Sequence, residues 1–151
     1  MRAERMIRLM AGLFLLVMSS ALLAGPNIER WDTSNGARVL YVAAPELPMV
    51  DLRVVFDAGS ARDAIPGVGY LTNALLEEGA GEWDADRIAE RLEGVGAEMS
   101  TGSMRDMAWV SLRSLTEEQA LETAIQTLSQ VLAAPRFEPE ALERLRKTVL
   151  V

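Results

Sequence analysis

The order of elements along the chain predicts an α+β fold, an antiparallel sheet with helices packed on one face. Three observations carry this expectation. Period-two alternation in residues 50–57 and 108–113 marks half-buried strands. Helical spacing of apolar residues in 121–132 and 142–149 marks amphipathic helices. The two kinds alternate in pairs, ββαα then ββ then αα, so sequential strands pair directly with one another.

The 151-residue chain opens on MRAERMIRLMAGLFLLVMSSALLAG. Arg2, Arg5 and Arg8 form a basic start, an apolar run follows, and Ser19, Ser20, Ala21, Ala24 and Gly25 supply small residues. This is the layout of a secretory signal, expected over residues 1–24, with cleavage after Ala21 or Ala24. The competing reading is a membrane anchor, but the apolar core is shorter than the ~20 residues of a span and Ser19-Ser20 interrupt it. A lipid anchor would need a cysteine, and the chain has none. No stable membrane span is expected once the signal is removed.

Residues 25–30 read as an exposed lead-in. Asn35-Gly36 is a strong turn pair between a hairpin start and a strand over 38–44, which Pro45 and Pro48 end. Residues 50–60 read as the next strand, where Leu52, Val54 and Phe56 alternate with Asp51, Arg53 and Asp57. Residues 67–78 form a helix with Leu71, Leu75 and Leu76 as its apolar stripe. Residues 84–93 form a second, capped by Asp84, buried through Ile88 and Leu92, and stopped by Gly94 and Gly96. Two strands follow over 97–103 and 107–115. Thr116-Glu117-Glu118-Gln119 reads as a capping box for a helix whose apolar face is Leu121, Ile125, Leu128 and Leu132. Pro139 suits the first turn of a last helix, with Leu142, Leu145 and Val149 on one face. That helix shows no stop signal before Val151, so an element cut short is expected there.

Composition excludes several chemistries. There is no Cys and no His, which removes thiol nucleophiles, imidazole bases and the usual zinc ligands together. The net charge is −7, and removing residues 1–24 leaves 12 basic against 21 acidic residues, or −9. Nucleic acid is not an expected partner, because its phosphates call for clustered Lys and Arg. An exported chain without disulfides suits a bacterial periplasm.

Four local patterns are set aside for stated reasons. Asp32-Thr33-Ser34 resembles an aspartic-peptidase triplet, but that chemistry needs a second aspartate sharing a proton, and a turn role suffices. Gly67 and Gly69 before a helix lack the Lys and Ser/Thr of a phosphate loop. Glu77, Glu78, Glu82 and Asp84 are acidic enough for a hard cation, but read first as a solvated helix end. Met99, Met104 and Met107 read as core fillers and strand ends.

Tyr70, Asn73 and Ala74 remain, at i, i+3 and i+4 on one helical face. Their setting, SNGARVLYVAAPELPMVDLRVVFDAGS followed by GVGYLTNALLEEGAG, resembles the pitrilysin/insulinase family of zinc peptidases, which includes mitochondrial processing peptidase. WDADRIAERLEGVGAEMSTGSMRDMAWVSLRSL and AAPRFEPEALERLRKTVL continue the likeness in order. It implies that residues 31–151 are an incomplete first domain of the pitrilysin-like fold. In the family an inverted H-x-x-E-H motif supplies two zinc ligands and a water-activating Glu. By the resemblance, Tyr70, Asn73 and Ala74 are the degenerate counterparts of those positions, and the third ligand would fall near Leu150 or Val151. No cofactor, no metal and no catalytic residue is then expected.

The resemblance further implies a non-catalytic subunit of the bacterial envelope. Such a subunit pairs with a catalytic, zinc-bearing peptidase of the family to enclose and hold an extended peptide, which would lie along the strand pair around residues 100–109. The alternatives are a structural subunit of an envelope assembly with no peptide role, or an inactive truncated fragment.

Overall fold

The computed structural model describes residues 25–149. The expected signal segment, Leu150 and Val151 lie outside the described residues. The chain divides after Glu46 into two units.

The described part of the first unit is a hairpin. β1 (Ile28–Asp32) pairs antiparallel with β2 (Arg38–Val42), with Trp31 opposite Val39 and Glu29 opposite Tyr41. Trp31 and Tyr41 are therefore diagonal neighbours on one face, and their rings sit 6.4 Å apart at 58°. The connection is longer than a two-residue Asn-Gly turn. The Thr33 backbone carbonyl accepts from the Gly36 N–H and its side-chain oxygen from the Ala37 N–H. The lead-in is exposed, but it is strand from Ile28 onward, and β2 stops at Val42 rather than residue 44. Asp32, Thr33 and Ser34 serve this turn.

The second unit holds a three-stranded antiparallel sheet in the order β3 (Met49–Phe56), β7 (Ala108–Leu115), β6 (Glu98–Ser103). Four helices accompany it: α1 (Val68–Ala74), α2 (Ala85–Glu93), α3 (Glu118–Ala133) and α4 (Pro139–Val149). This is the α+β class that the sequence predicts. β7 is central, and its alternation is clean: Ala108, Val110, Leu112 and Ser114 are buried, while their neighbours are not. Val110 and Leu112 meet Ile88, Leu92, Ala124, Leu128 and Val131 in the core. Full burial of each such side chain contributes about 1.5–3 kcal/mol, so β7 anchors the helix layer.

Local rules explain most boundaries. Asp84 accepts a hydrogen bond from the Arg87 N–H at 2.8 Å and caps α2. α3 begins differently from the expected box. Glu117, not Thr116, is its cap, accepting from the Gln119 and Ala120 N–H groups at 3.2 and 2.9 Å. The Thr116 N–H is already bound to the Pro48 carbonyl at 3.0 Å, continuing the β3–β7 ladder, so the helix starts one residue later.

The buried face of α3 is also rotated. It consists of Ala120, Ala124, Thr127, Leu128 and Val131, while Ile125 stays 41% exposed. Two alanines let the helix approach its neighbours more closely than a leucine and isoleucine face would. The expected helix over 67–78 is shorter too. It is α1 followed by a 3₁₀ turn, Leu75–Glu78, and two short strands, β4 (Gly79–Ala80) and β5 (Trp83–Asp84).

Candidate functional site

α1 is held at both ends of its short length. Both oxygens of the Asp63 carboxylate accept from the Gly69 N–H at 3.0 Å, satisfying a free donor at the helix start. At the other end Leu75 is buried. Between them lie the three positions singled out above. Tyr70 is 48% exposed, Ala74 is half-buried, and Asn73 is only 5% exposed.

Asn73 is the structurally committed member. Its side-chain nitrogen donates to the Gly102 carbonyl at 2.7 Å and, more weakly, to the Trp109 carbonyl at 3.3 Å. Gly102 and Trp109 are opposite each other across β6 and β7, so one amide clamps α1 to two strands at once. Gly102 is required for a separate reason. The Trp109 ring lies so close over it that an added Cβ would come within 2.1 Å of a ring carbon. Both neighbours of the Asn73 amide are carbonyl oxygens, so the nitrogen is the end that must face them.

Glu77 extends the same face of α1 into the following turn. It lines a hollow of about 330 Å³ with Ile88, Leu92, Ala97, Glu98 and Met99. Burial pushes its carboxyl above the ordinary value, and the charge of Glu78 adds to that. The rest of the acidic cluster is dispersed: Glu78 pairs with Arg144, Asp84 caps α2, and Glu82 is exposed. Among the described residues no three His, Cys, Asp or Glu side chains converge as a metal cluster would.

The donor set on α1 does not suit zinc. A tetrahedral zinc site takes imidazole, thiolate or carboxylate ligands. Here the three positions offer a phenol, an amide already engaged in donating, and a methyl group. An amide cannot take a proton from water, so no hydrolytic step is assigned to Asn73.

The expected peptide edge is narrower than the strand pair suggested. Among the described residues β6 is an edge of the sheet, whereas Trp109 sits on central β7. Met99, Thr101, Gly102 and Ser103 on β6 are half-buried. Met99 packs against the core, and Met104 is exposed at the hairpin end, 55% accessible. Sequence reasoning missed the Asp63 contact, although an Asp a few residues before a helix is an ordinary sign of one.

The family model for insulinase, peptidase family M16, matches residues 38–151. The chain belongs to the M16 family. Its fold also matches solved structures. One is a peptidase M16 inactive domain from Pseudomonas fluorescens, 44% identical, with a TM-score of 0.80 over 82% of this chain and 30% of that one. A second is a protease from Helicobacter pylori, 13% identical, TM-score 0.72, covering 82% and 30%. A third is the periplasmic protease PqqL from Escherichia coli, 18% identical, TM-score 0.74, covering 83% and 15%. The last two speak for the fold alone. The chain thus spans less than a third of the length of each of these structures. No curated protein matches it. No described helix is long and apolar enough to cross a membrane.

Proposed function

We propose that this chain is a zinc-free M16 family member that acts as a non-catalytic subunit in the bacterial envelope. It pairs with a catalytic, zinc-bearing peptidase of the same family and helps hold an extended peptide. Tyr70, Asn73 and Ala74 are the degenerate counterparts of the zinc motif, and the chain carries no metal or other cofactor.

The observation that carries this reading is the engagement of Asn73. Where the chemistry needs a free carboxylate facing water, the chain has a buried amide donating to Gly102 and Trp109. The helix is held in place at that position, and an amide stands where the resemblance sets the base. The 44% identical structure is itself an inactive M16 domain, which agrees with the reading. The periplasmic location of the protease PqqL, which shares the fold, is consistent with the secretory layout of residues 1–24. For the peptide, β6 has no strand partner on its outer side among the described residues, as an added strand needs.

The test is capture of the tagged chain from its native envelope, followed by identification of what co-purifies. Recovery of a protein with an intact H-x-x-E-H helix supports the paired role. Peptide hydrolysis by the isolated chain that is stopped by a zinc chelator would overturn it, as would recovery of the chain alone.

A further inference from the structure

Asn35 and Gly36 lie in the turn of the β1–β2 hairpin, and both are exposed. Two groups that can react stand side by side there. The Asn35 side chain carries an electrophilic carbonyl carbon, Cγ. The backbone nitrogen of Gly36 follows it directly along the chain and can close a five-membered ring onto it. What crowds that nitrogen decides whether the ring closes. Gly36 has no side chain to block the approach. Its φ is 86°, and a Cβ added to it would meet nothing within 4 Å.

The turn also prepares the amide. The Thr33 hydroxyl oxygen accepts from the Ala37 N–H at 3.0 Å and gives its own proton to the Asn35 Oδ1. A donor on that oxygen draws charge from Cγ and stabilises the oxyanion that forms as the nitrogen adds. The opposing restraint is the hydrogen bond from the Gly36 N–H to the Thr33 carbonyl at 2.9 Å. A bond of this kind contributes only about 0.5–1.5 kcal/mol, so it holds the nitrogen back weakly.

We propose that Asn35 is a modification site, converted by the neighbouring backbone nitrogen into a mixture of aspartate and isoaspartate. Hydroxide removes the Gly36 N–H proton and the nitrogen attacks Cγ. The N–Cγ bond forms, the Cγ–Nδ2 bond breaks, and the side-chain nitrogen takes a proton from water and leaves as ammonia. One water molecule then opens the succinimide ring. Attack at Cγ restores the original main chain and leaves Asp. Attack at the backbone carbonyl carbon leaves isoAsp, whose main chain runs through Cβ and Cγ. Nothing is oxidised or reduced. Either product adds a carboxylate to a turn that already holds Asp32, 3.9 Å from Arg38. The isoAsp form also lengthens the turn by a backbone atom, so the bonds that Gly36 and Ala37 make to Thr33 lose their present geometry.

The other asparagines, Asn27 and Asn73, are closed to the same chemistry. Asn27 precedes Ile28, whose β-branched side chain crowds the attacking nitrogen. Asn73 precedes Ala74 within α1, is 5% exposed, and has its Nδ2 committed to the Gly102 and Trp109 carbonyls. The reaction requires only residues 33–37 and water, and it is independent of the proposed pairing with a catalytic subunit.

Arg30 and Arg38 bracket the site, so trypsin releases residues 31–38 as one fragment, while Asn27 and Asn73 fall in others. The full chain is incubated folded and, in parallel, in urea, then digested. Mass spectrometry follows amide loss in each fragment, and chromatography separates Asp from isoAsp. In the folded chain Asn35 is expected to convert about tenfold or more faster than Asn27 or Asn73, a barrier lower by at least ~1.4 kcal/mol. The rate should rise from pH 6 to pH 8, and isoAsp should be among the products, since direct hydrolysis of the amide gives Asp alone. Asn35 that stays intact in the folded chain while it converts in urea would overturn the proposal. So would Asp without isoAsp, or conversion of Asn27 at the same rate.

Discussion

Replacing Asn73 should show whether α1 is clamped to the sheet by that side chain or held there without it. Asn73→Ala removes a 2.7 Å hydrogen bond and a weaker 3.3 Å one from a residue 5% exposed. The first contributes about 1 kcal/mol and the second less. The small cavity left behind adds to the loss, for a total of about 1.5–3 kcal/mol. Asn73→Asp keeps the shape and reverses the chemistry. An ionised carboxylate would then face two carbonyl oxygens with no donor between them, costing about 3–5 kcal/mol at neutral pH. Protonation turns the same group into a donor toward one of those carbonyls.

The folded-state pKa of the introduced Asp must therefore lie above its unfolded value. The folded state then binds the extra proton more readily, and stability falls as pH rises through that window. The assay is urea unfolding of the wild type and both variants at pH 4 and pH 7. The expected order at pH 7 is wild type, then Asn73→Ala, then Asn73→Asp, with the gap to Asp narrowing at pH 4. If both variants lie within about 0.5 kcal/mol of the wild type, the clamp contributes nothing and the reasoning fails.

Three further outcomes follow from the same structure. Gly59→Ala would place a Cβ 2.4 Å from the backbone of residues 105–107, so the loop that donates from Ser60 and Ala61 to the Met104 and Arg105 carbonyls must move. A loss of about 2–4 kcal/mol is expected, with faster proteolytic cleavage near Gly59 than in the wild type. Glu117→Ala should cost about 0.5–2 kcal/mol as a lost cap, while Thr116→Ala, whose backbone bond to Pro48 is unaffected, should melt close to the wild type. Glu77 has a raised carboxyl pKa, so the protein loses stability as pH rises from the ordinary glutamate range through the folded value. Glu77→Gln should raise the melting temperature at pH 7 and change it less at pH 4, and an equal shift at both would count against the desolvated carboxyl.

What was legible in the sequence was local. The Asp84 cap, the alternation of β7 and the start of α4 at Pro139 follow from neighbours within a few residues. What was not legible depends on distant partners. β4 and β5 are two residues each, and Ala80 is completed by a bridge to Pro135. The α3 face could not be read from side-chain size alone, because Ala120 and Ala124 are buried by close approach and Ile125 is left outside. At the candidate site, the spacing of Tyr70, Asn73 and Ala74 was plain. The role of Asn73 was not, since its acceptors lie 29 and 36 residues away.

That separation bears on how α1 would keep its place while its surface residues change. A motif helix has two obligations, to present ligands and to pack. Tyr70 and Ala74 carry little of the packing here, one being exposed and the other half-buried. Asn73 carries much of it, through the two strands that it joins. A carboxylate at this position would need a compensating cation or proton, and none of the groups it faces supplies one. Placing His, Glu and His at 70, 73 and 74 would therefore set the introduced Glu against Gly102 and Trp109. On this argument the amide at residue 73 is stabilised by its own hydrogen bonds, and accommodating a carboxylate there would require rebuilding the β6–β7 end of the sheet.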